Sequence, residues 1–398
     1  MTPRNKALPN FVAPAVSRMK QYAAQYGPEA TELTSLLRGE PDFPTPQHIA
    51  EALWAAVQAG YTHYPVIRGY DELREAVATR LSADYKLQFD PEREVLITSG
   101  ATAGMYLALQ AIVTSGDEVL LPQPIYDVYL NQVLAAGGVP VSVAAEHSGA
   151  RFTLTVERLE QALTPRTRAI IINTPWNPTG TILNREELLA IGTFALGHGL
   201  ILIVDEIYEK LVYDDCVHIP LVSLSDDFRD HVITVNSFSK TYAMTGWRLG
   251  YNLASPALTT AMLLNYEQFS RGATAFVQRA GIAALHGPQD CVTDMVSAYQ
   301  ARRDLMVKLV HGIDGVAAYS PQGGLFCLID VRSYDQSSEA LAHSLVRNWG
   351  LLTIPGSYYG PSLEGFLRLS FSYAPQDIER GLQILADGLE ALKPSRRH

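Results

Sequence analysis

Lys240 lies in the run SFSKTYAMTGWRLGY, a few residues after HVITV, which has the composition of a buried strand. Open α/β sheets bind their ligands beyond the carboxyl ends of their strands. A lysine that is partly desolvated there and close to other cations has its pKa lowered, so its amine can form a Schiff base. Because a lone lysine in a Ser/Thr-rich loop is more often a surface residue, its neighbours decide between the two interpretations.

Hydroxyl and guanidinium groups surround this lysine in the sequence. Ser237 and Ser239 precede it, and Arg248 follows it. Hydroxyl donors and a planar guanidinium that come together can bind a dianionic phosphate. The pattern therefore predicts a phosphate-binding element beside the reactive amine.

A second phosphate-binding element is predicted upstream, in the run TSGATAG from Thr98 to Gly104. This run ends a strand and opens a helix, so the backbone N–H groups near Ala101 and Thr102 point outward at the positive end of a helix. One glycine turn of this kind is common. Two such elements, each after a strand, indicate one phosphorylated ligand.

Two further strand ends carry polar side chains. Asp205 follows the apolar run LILIV, where a buried carboxylate needs a partner to offset the cost of desolvation. A protonated pyridine nitrogen is one such partner; the alternative is that Asp205 is an ordinary helix N-cap. Tyr208 lies one helical turn further on, so its hydroxyl can donate a hydrogen bond to a ligand near Asp205. Asn177 is held in a turn by Pro178, and its amide can donate to a phenolate or a carboxylate.

These strand ends belong to a regular alternation of strands and helices. Residues 103–114 and 186–198 have helical apolar spacing and lie between short apolar runs rich in branched residues. The runs are EVLIT from Glu94, EVLL from Glu118, VPVSV from Val139, AIII from Ala169, LILIVD from Leu200 and HVITV from His231. The alternation predicts a mostly parallel sheet covered on both faces, in a large α/β domain over residues 46–285.

The pattern changes in the last third of the chain. A long helical stretch from Pro288 is followed by short strands and by a final amphipathic helix that starts near Pro375. We therefore predict a smaller α+β domain over residues 286–398. The proline-rich residues 1–45 form no core of their own, so we expect them to act as an arm and part of the small domain, packed against it or against a neighbouring subunit.

The composition excludes several classes of protein. The chain of 398 residues has 41 acidic and 31 basic residues and a net charge of -10, which argues against nucleic acid or an anionic membrane as the main partner. Its three cysteines are widely spaced, without the pattern of a disulfide framework or a metal site. No apolar run has the length of a secretory h-region or a bilayer span, so we expect a cytoplasmic protein.

Taken together, the motifs resemble those of the class I aminotransferases of fold type I. The resemblance rests on the order and spacing of NPTG, DEIY and SFSK...GWRLGY, and it extends to LLRGEPDFPTP, HYPVIRGYDELREA, LPQPIYDVY, GGLF and FLRLSFS, so it covers nearly the whole chain. It implies a seven-stranded, mostly parallel sheet sandwiched by helices, plus a smaller α+β domain. It also implies the cofactor pyridoxal 5′-phosphate, ping-pong transfer of an amino group between an L-amino acid and a 2-oxo acid, and a homodimer with composite active sites.

The resemblance implies how the cofactor ring would be held. Lys240 would bind the cofactor as a Schiff base and then move a proton between the substrate α-carbon and the C4′ carbon. Asp205 would pair with the pyridine nitrogen, and Tyr208 and Asn177 would bond the ring oxygen O3′. Tyr126 would stack on the face of the ring.

The resemblance also implies a phosphate site and a substrate site. The phosphate would be bound by Ser237, Ser239, Arg248, the amides at Ala101 and Thr102, and Tyr64 from the second subunit. The substrate α-carboxylate would be clamped by Arg368, with Asn177 and the backbone at Gly39 assisting. Without the family, an arginine in the strand-like run FLRLSFS would be interpreted as structural. Cis peptide bonds are implied before Pro124 and Pro178.

Other activities are possible on the same scaffold. A C–S lyase acting by β-elimination, or a cyclopropane-forming synthase, would also need Lys240, Asp205 and Arg368; transamination is favoured because the motifs run without interruption. A non-catalytic regulator would need a basic DNA-binding extension before the GEPDF segment. The 38 residues before Gly39 contain four prolines and the chain is acidic, so this interpretation is set aside.

The sequence leaves the substrate open. Some family members that use acidic amino acids have a basic residue near the start of the GATAG helix, where this chain has neutral residues at 101–103. Arg68 and Arg271 are candidate replacements, although each is more often a surface or interface arginine. The residues that either line an aromatic pocket or pack in the core are Trp176, Phe326, Tyr358 and Tyr359.

Overall fold

The computed structural model describes residues 11–29, 32–147 and 151–392, so residues 1–10, 30–31 and 393–398 of the predicted arm and small domain lie outside the description. The helices in the described ranges are α1 (Ala15–Tyr26), α2 (Gln47–Gln58), α3 (Asp71–Tyr85), α4 (Ala101–Ile112), α5 (Val128–Ala135), α6 (Val156–Ala162), α7 (Arg185–Gly197), α8 (Phe238–Thr241), α9 (Pro256–Phe269), α10 (Ala275–His286), α11 (Asp290–His311), α12 (Ser338–Trp349) and α13 (Pro375–Glu390). The strands are β1 (Thr34–Ser35), β2 (Val95–Thr98), β3 (Glu118–Gln123), β4 (Val139–Ala144), β5 (Glu146–His147), β6 (Phe152–Thr153), β7 (Thr167–Asn173), β8 (Ile201–Asp205), β9 (Val232–Ser237), β10 (Gly250–Leu253), β11 (Ala317–Ala318), β12 (Phe326–Asp330), β13 (Leu351–Leu352), β14 (Ile354–Pro355) and β15 (Phe366–Ser370).

The largest sheet has seven strands in the order β2-β10-β9-β8-β7-β3-β4. The pairs from β9 through β4 are parallel, and β10 runs antiparallel to both of its neighbours. The predicted seven-stranded, mostly parallel sheet is therefore confirmed, and all six apolar runs identified in the sequence form strands of it. The sequence analysis missed β10, whose four residues follow the lysine segment too closely to stand out as a separate apolar run.

Both faces of this sheet are buried in its central strands, as expected when helices cover a parallel sheet, whereas the edge strand β4 is largely exposed. Alternate residues of one strand point to opposite faces, so in β8 Ile203 belongs to one apolar cluster, while Leu202 and Val204 belong to the other. Helices α4, α5 and α9 contribute to the first cluster, and α3, α7 and α10 to the second. This burial fixes the strand register, since a shift by one residue would exchange the two faces.

The register brings the polar strand ends together. Asn173 at the end of β7 pairs with Asp205 at the end of β8, and Asp205 pairs with Val235 of β9. Because these strands are parallel, their carboxyl ends lie along one edge of the sheet. The residues that follow them in the sequence therefore start from neighbouring positions.

The C-terminal part contains a four-stranded antiparallel sheet in the order β11-β12-β15-β14. Helices α11 and α13 contact each other, α11 and α12 contact this sheet, and α1 packs against α12. Strand β1 pairs in parallel with β13, so the described part of the arm contacts the C-terminal lobe. The exact domain limits remain a prediction. No helix in the described ranges has the length and apolar character needed to cross a membrane.

Candidate active site

A cavity of about 590 Å³ lies where the carboxyl edge of the large sheet faces the C-terminal lobe. Its lining includes these sequence-predicted residues: Gly39, Ala101, Thr102, Tyr126, Asn177, Asp205, Tyr208, Ser237, Ser239, Lys240, Arg248 and Arg368. Tyr64 does not line it, and its side chain is 86% exposed. The fold thus brings residues from distant parts of the sequence into one pocket.

Lys240 belongs to the short helix α8, which starts immediately after β9. The side chain of Ser237 caps this helix by accepting a hydrogen bond of 3.1 Å from the backbone N–H of Ser239. The amine Nζ of Lys240 donates a hydrogen bond to the backbone oxygen of Gly39. Burial lowers the pKa of Lys240 to about 8, although the nearby carboxylate of Glu40 opposes this shift. An amine with this pKa can act as a nucleophile or a base near neutral pH.

Asp205 is a buried carboxylate with a hydrogen-bond donor on each oxygen. The hydroxyl of Tyr129 donates to Oδ2 at 2.5 Å, and the backbone N–H of Ile207 donates to Oδ1 at 3.1 Å. Burial raises the pKa of Asp205 to about 6, and the hydrogen bond from Tyr129 opposes that rise. The sequence did not single out Tyr129. It lies one turn after Tyr126, and this spacing is the sequence feature that could have pointed to it.

The two predicted phosphate elements meet through strand β10. Its first residue, Gly250, pairs with Thr98 at the end of β2 on one side and with Ser237 at the end of β9 on the other. A Cβ atom at Gly250 would lie 3.0 Å from the backbone nitrogen of Ala101, so only glycine allows this close approach. The start of α4 and the serine-lysine segment are therefore held side by side.

Arg248 lies against the turn that opens α4. Its backbone is left-handed, with φ of 57°, and its Nη1 donates a hydrogen bond of 2.9 Å to the backbone oxygen of Thr245. Gly100 has φ of 87°, and a Cβ atom there would lie 2.6 Å from Nη2 of Arg248. In the described part of the chain, Arg248 forms no ion pair with an acidic side chain. Its charge is available for an anion in the cavity.

Arg368 is only 2% exposed, although its side chain is charged. It lies in the middle of β15, and its Nη2 donates a hydrogen bond of 2.8 Å to the backbone oxygen of Leu37. The guanidinium carbon lies 4.0 Å from the ring centroid of Phe326, and the buried Nε has no hydrogen-bond partner within the described residues. A buried guanidinium with unused donors suits a bidentate carboxylate.

Asn177 is positioned by a second asparagine that sequence reasoning missed. Asn173 at the end of β7 accepts a hydrogen bond of 2.8 Å from the backbone N–H of Asn177 and donates one of 3.0 Å to the backbone oxygen of Asp205. The side-chain oxygen of Asn177 is buried and has no partner among the residues described. The predicted cis peptide bonds before Pro124 and Pro178 are confirmed, and a third precedes Pro175.

Of the aromatic residues considered for a substrate pocket, only Phe326 lines the cavity. Trp176 is buried, and its indole N–H donates a hydrogen bond of 2.8 Å to the backbone oxygen of Pro124, so it is a packing residue. Tyr358 donates a hydrogen bond to Glu339 of α12, outside the cavity. Tyr359 is buried behind Arg368, with its ring centroid 5.4 Å from the guanidinium carbon.

The two arginines considered as substrate anchors, Arg68 and Arg271, do not line the cavity of this chain either. Arg68 has a buried Nη1 that lacks a hydrogen-bond partner among described residues, and burial lowers its pKa. Arg271 is exposed. Neither arginine therefore contributes to the site as this chain alone forms it.

Comparisons with known proteins identify the family of the chain. The family model described as aminotransferase class I and II matches residues 31–385. The chain is 36% identical to the aspartate aminotransferase of Pyrococcus abyssi over 88% of this chain and 90% of that protein. It is 35% identical to aromatic-amino-acid aminotransferase 2 of Thermococcus litoralis over 91% and 92%, respectively. The crystal structure of the aromatic aminotransferase from Pyrococcus horikoshii OT3 superposes with a TM-score of 0.88 at 34% identity, covering 94% of this chain and 99% of that one. The chain therefore belongs to the class I and II aminotransferases, and it is an aminotransferase built on the fold type I architecture.

Proposed function

We propose that this aminotransferase uses pyridoxal 5′-phosphate, bound by Lys240, to move an amino group between an L-amino acid and a 2-oxo acid. The observation that carries the proposal is the arrangement in one cavity of a lysine with a pKa of about 8, the buried carboxylate of Asp205 and Arg248, which forms no ion pair with the described residues. When bound, the cofactor accepts the electron pair that is left when a bond to the substrate α-carbon breaks.

The cavity residues fit this cofactor at both of its ends. The guanidinium of Arg248, the hydroxyls of Ser237 and Ser239 and the first turn of α4 offer donors for a phosphate. At the other end, a protonated ring nitrogen would offset the cost of burying the charge of Asp205. The buried side chain of Asn177, with its unpartnered oxygen in the described structure, is a further polar group suited to contact a ligand.

The substrate-binding and proton-transfer groups meet the same short backbone segment. Arg368 donates a hydrogen bond to the backbone oxygen of Leu37, and Lys240 donates one to the backbone oxygen of Gly39. A substrate whose α-carboxylate is held by Arg368 therefore has its α-carbon close to Lys240. In the proposed reaction, Arg368 clamps the carboxylate and thereby fixes which α-bond breaks. Lys240 then removes the proton from the α-carbon, because its lowered pKa suits a base near neutral pH.

The remaining roles in the proposal follow from the family resemblance. Tyr126 stacks on the ring face, and its own ring packs edge-on against Tyr129 at 5.3 Å between centroids. Tyr208 and Asn177 bond the ring oxygen. Gly39 assists substrate binding through its backbone. The amides at Ala101 and Thr102 face the phosphate.

The proposal includes a homodimer in which Tyr64 reaches the partner's site. Tyr64 is 86% exposed, and Val66 and Phe269 nearby are 57% and 55% exposed. Exposed apolar side chains that lie together mark an interaction surface. The backbone of Gly272 approaches that of Ile67, so these exposed residues belong to neighbouring segments. An isologous contact through this surface would bury them. We also keep a cytoplasmic location as part of the proposal, from the cysteine content.

A substrate panel tests the proposed reaction. Purified enzyme with its cofactor is mixed with single L-amino acids and a 2-oxo acid acceptor, and both the new 2-oxo acid and the new amino acid are quantified. Equal amounts of the two products are expected. Release of pyruvate and ammonia from a cysteine conjugate, without amino-acid formation, would contradict transamination and favour the C–S lyase alternative.

A further inference from the structure

Three successive backbone groups at the cavity are held by different side chains. Arg368 donates a hydrogen bond to the backbone oxygen of Leu37, and Lys240 donates one to the backbone oxygen of Gly39. Between them, the backbone N–H of Arg38 donates a hydrogen bond of 2.9 Å to the hydroxyl of Tyr373. The position of Arg38 is therefore fixed relative to both the proposed carboxylate clamp and the proposed base.

The side chain of Arg38 lines the same cavity in a preorganised orientation. Its guanidinium carbon lies 4.7 Å from the ring centroid of Tyr373, which also lines the cavity. Stacking on an aromatic ring restricts the guanidinium without using any of its N–H donors. Within the described residues, no carboxylate lies within ion-pair distance of Arg38.

A second cation, Lys20 of α1, lines the cavity next to the solvent and also has no ion pair within the described ranges. The carboxylate of Glu40 also lines the cavity, as does that of Asp205. Glu40 is the one that lies close to Arg38 in the sequence. It accepts a hydrogen bond of 2.8 Å from Thr245 and forms no ion pair with either cation. Arg38 and Lys20 both line the cavity and form no ion pair within the described residues, although the net charge of the chain is -10, so together they favour an anion there.

We propose that Arg38 is a specificity-determining residue that binds a second anionic group, a distal carboxylate on the side chain of the amino acid or 2-oxo acid, with Lys20 adding long-range attraction. The proposal rests on the proposed transamination, because it assumes that Arg368 holds the α-carboxylate. It gives the site a cation for a distal carboxylate, since residues 101–103 at the start of α4 are neutral. Guanidinium and carboxylate match in a planar, bidentate geometry, so Arg38 discriminates more sharply than a lysine would.

Binding of carboxylates that cannot be transaminated tests this role without turnover. Calorimetry on the enzyme with its cofactor compares succinate, which has two carboxylates, with butyrate, which has one. The wild type is expected to bind succinate about 10- to 100-fold more tightly, the range of one charged hydrogen-bonded contact. In Arg38→Gln this preference should fall to within about threefold, while butyrate binding stays unchanged. Arg38→Lys should recover only part of the preference.

Turnover provides the second readout. In Arg38→Gln, kcat/KM for aspartate or glutamate should fall about 10- to 100-fold, mainly through KM, while kcat/KM for alanine and phenylalanine stays within about twofold. Arg158→Gln, which changes an arginine paired with Glu146 on the surface, is the matched control and should alter neither profile. Unchanged cofactor absorbance and unfolding midpoint would show that Arg38→Gln remains folded.

Two results would overturn the role of Arg38. One is a wild type with no preference for succinate over butyrate; the other is an Arg38→Gln variant that loses affinity for both compounds equally. Failure of the proposed function is a different result: the wild type would transaminate no amino acid in the panel, whatever its preference between the two carboxylates.

Discussion

Individual buried side chains at this site reduce the stability of the fold. Burial raises the pKa of Asp205 to about 6 and lowers the pKa of Lys240 to about 8, so in both cases the fold disfavours the charged form. Arg368 adds a charge that is 2% exposed without a carboxylate partner among the described residues. Such residues are expected where they serve binding or catalysis rather than stability.

Asp205→Asn should therefore stabilise the protein prepared without cofactor. Because folding raises the pKa of this carboxyl group, the folded chain binds its proton more tightly, and the ionised form costs stability above a pH of about 6. The gain from Asp205→Asn should be about 1 to 3 kcal/mol at pH 8 and should shrink as the pH falls through 6 towards 4. Urea unfolding at several pH values measures it. A variant less stable than the wild type at pH 8 would contradict the account.

Arg368→Lys should retain the charge but lose the bidentate clamp. We expect kcat/KM for every amino acid to fall about 100-fold or more, since one ammonium cannot replace two parallel donors in a buried site. Cofactor absorbance should stay unchanged, because the proposal assigns Arg368 to the substrate rather than to the cofactor. Steady-state kinetics with several amino acids measures the loss; an effect limited to acidic substrates would show that Arg368 binds the distal group instead.

At the scale of elements, strand β10 assembles the phosphate end of the cavity. It runs antiparallel between β2 and β9, so its first residue, Gly250, is opposite the ends of both. This arrangement also determines the position of Arg248, which lies two residues before β10 and whose guanidinium reaches the turn at Gly100. The proposed cofactor site therefore depends on two glycine contacts, at Gly100 and Gly250, as much as on the charged groups.

Gly100→Ala tests this dependence. The new methyl group would meet Nη2 of Arg248 at 2.6 Å and would force the arginine to move, so cofactor affinity should fall about tenfold or more. Gly116→Ala is the matched control, because Gly116 has φ of 91° but nothing within 4 Å of the new atom. Both variants should lose about 1 to 2 kcal/mol of stability from backbone strain, but only Gly100→Ala should bind the cofactor weakly. Equal cofactor affinities in the two variants would contradict the proposed phosphate site at Gly100 and Arg248.

The elements that could be predicted from the sequence are those with a local signal. The parallel strands have continuous branched apolar runs, and Lys240, Asp205 and Asn177 each follow such a run or a proline turn. Tyr129 and Asn173 have no comparable signal, because their roles depend on a hydrogen bond to Asp205 across the fold. Arg368 was assigned only through the family resemblance, since an arginine in a strand reveals neither its burial nor the cavity it faces.

At the scale of the whole molecule, the acidic chain places unpaired cations around one cavity. Arg248, Arg368 and Arg38 all line it, and none of them has an ion pair in the described ranges, although the net charge of the chain is -10. The surrounding acidity repels anions elsewhere, so this arrangement favours entry of anionic ligands at the site. It also suits the proposed binding of a phosphorylated cofactor and carboxylate substrates by an acidic protein.

The proposed dimer can be tested by combining two variants, each of which impairs a different residue of the site. If Tyr64 serves the partner's site, a mixed dimer of Tyr64→Ala and Lys240→Ala chains contains one site with both native residues. Co-expression should therefore give dimers with clearly more activity than either variant alone, and a rate assay on the separated mixed dimer measures it. Activity no greater than that of the Tyr64→Ala dimer would argue that each chain forms its site alone.

Covalent trapping tests the central assignment most directly. The enzyme with its cofactor is reduced with borohydride, digested, and mapped by mass spectrometry. The account predicts the mass of the reduced cofactor on the peptide that contains Lys240, and no labelled peptide from Lys240→Ala. A label on another lysine, or a Lys240→Ala protein labelled as fully as the wild type, would contradict it.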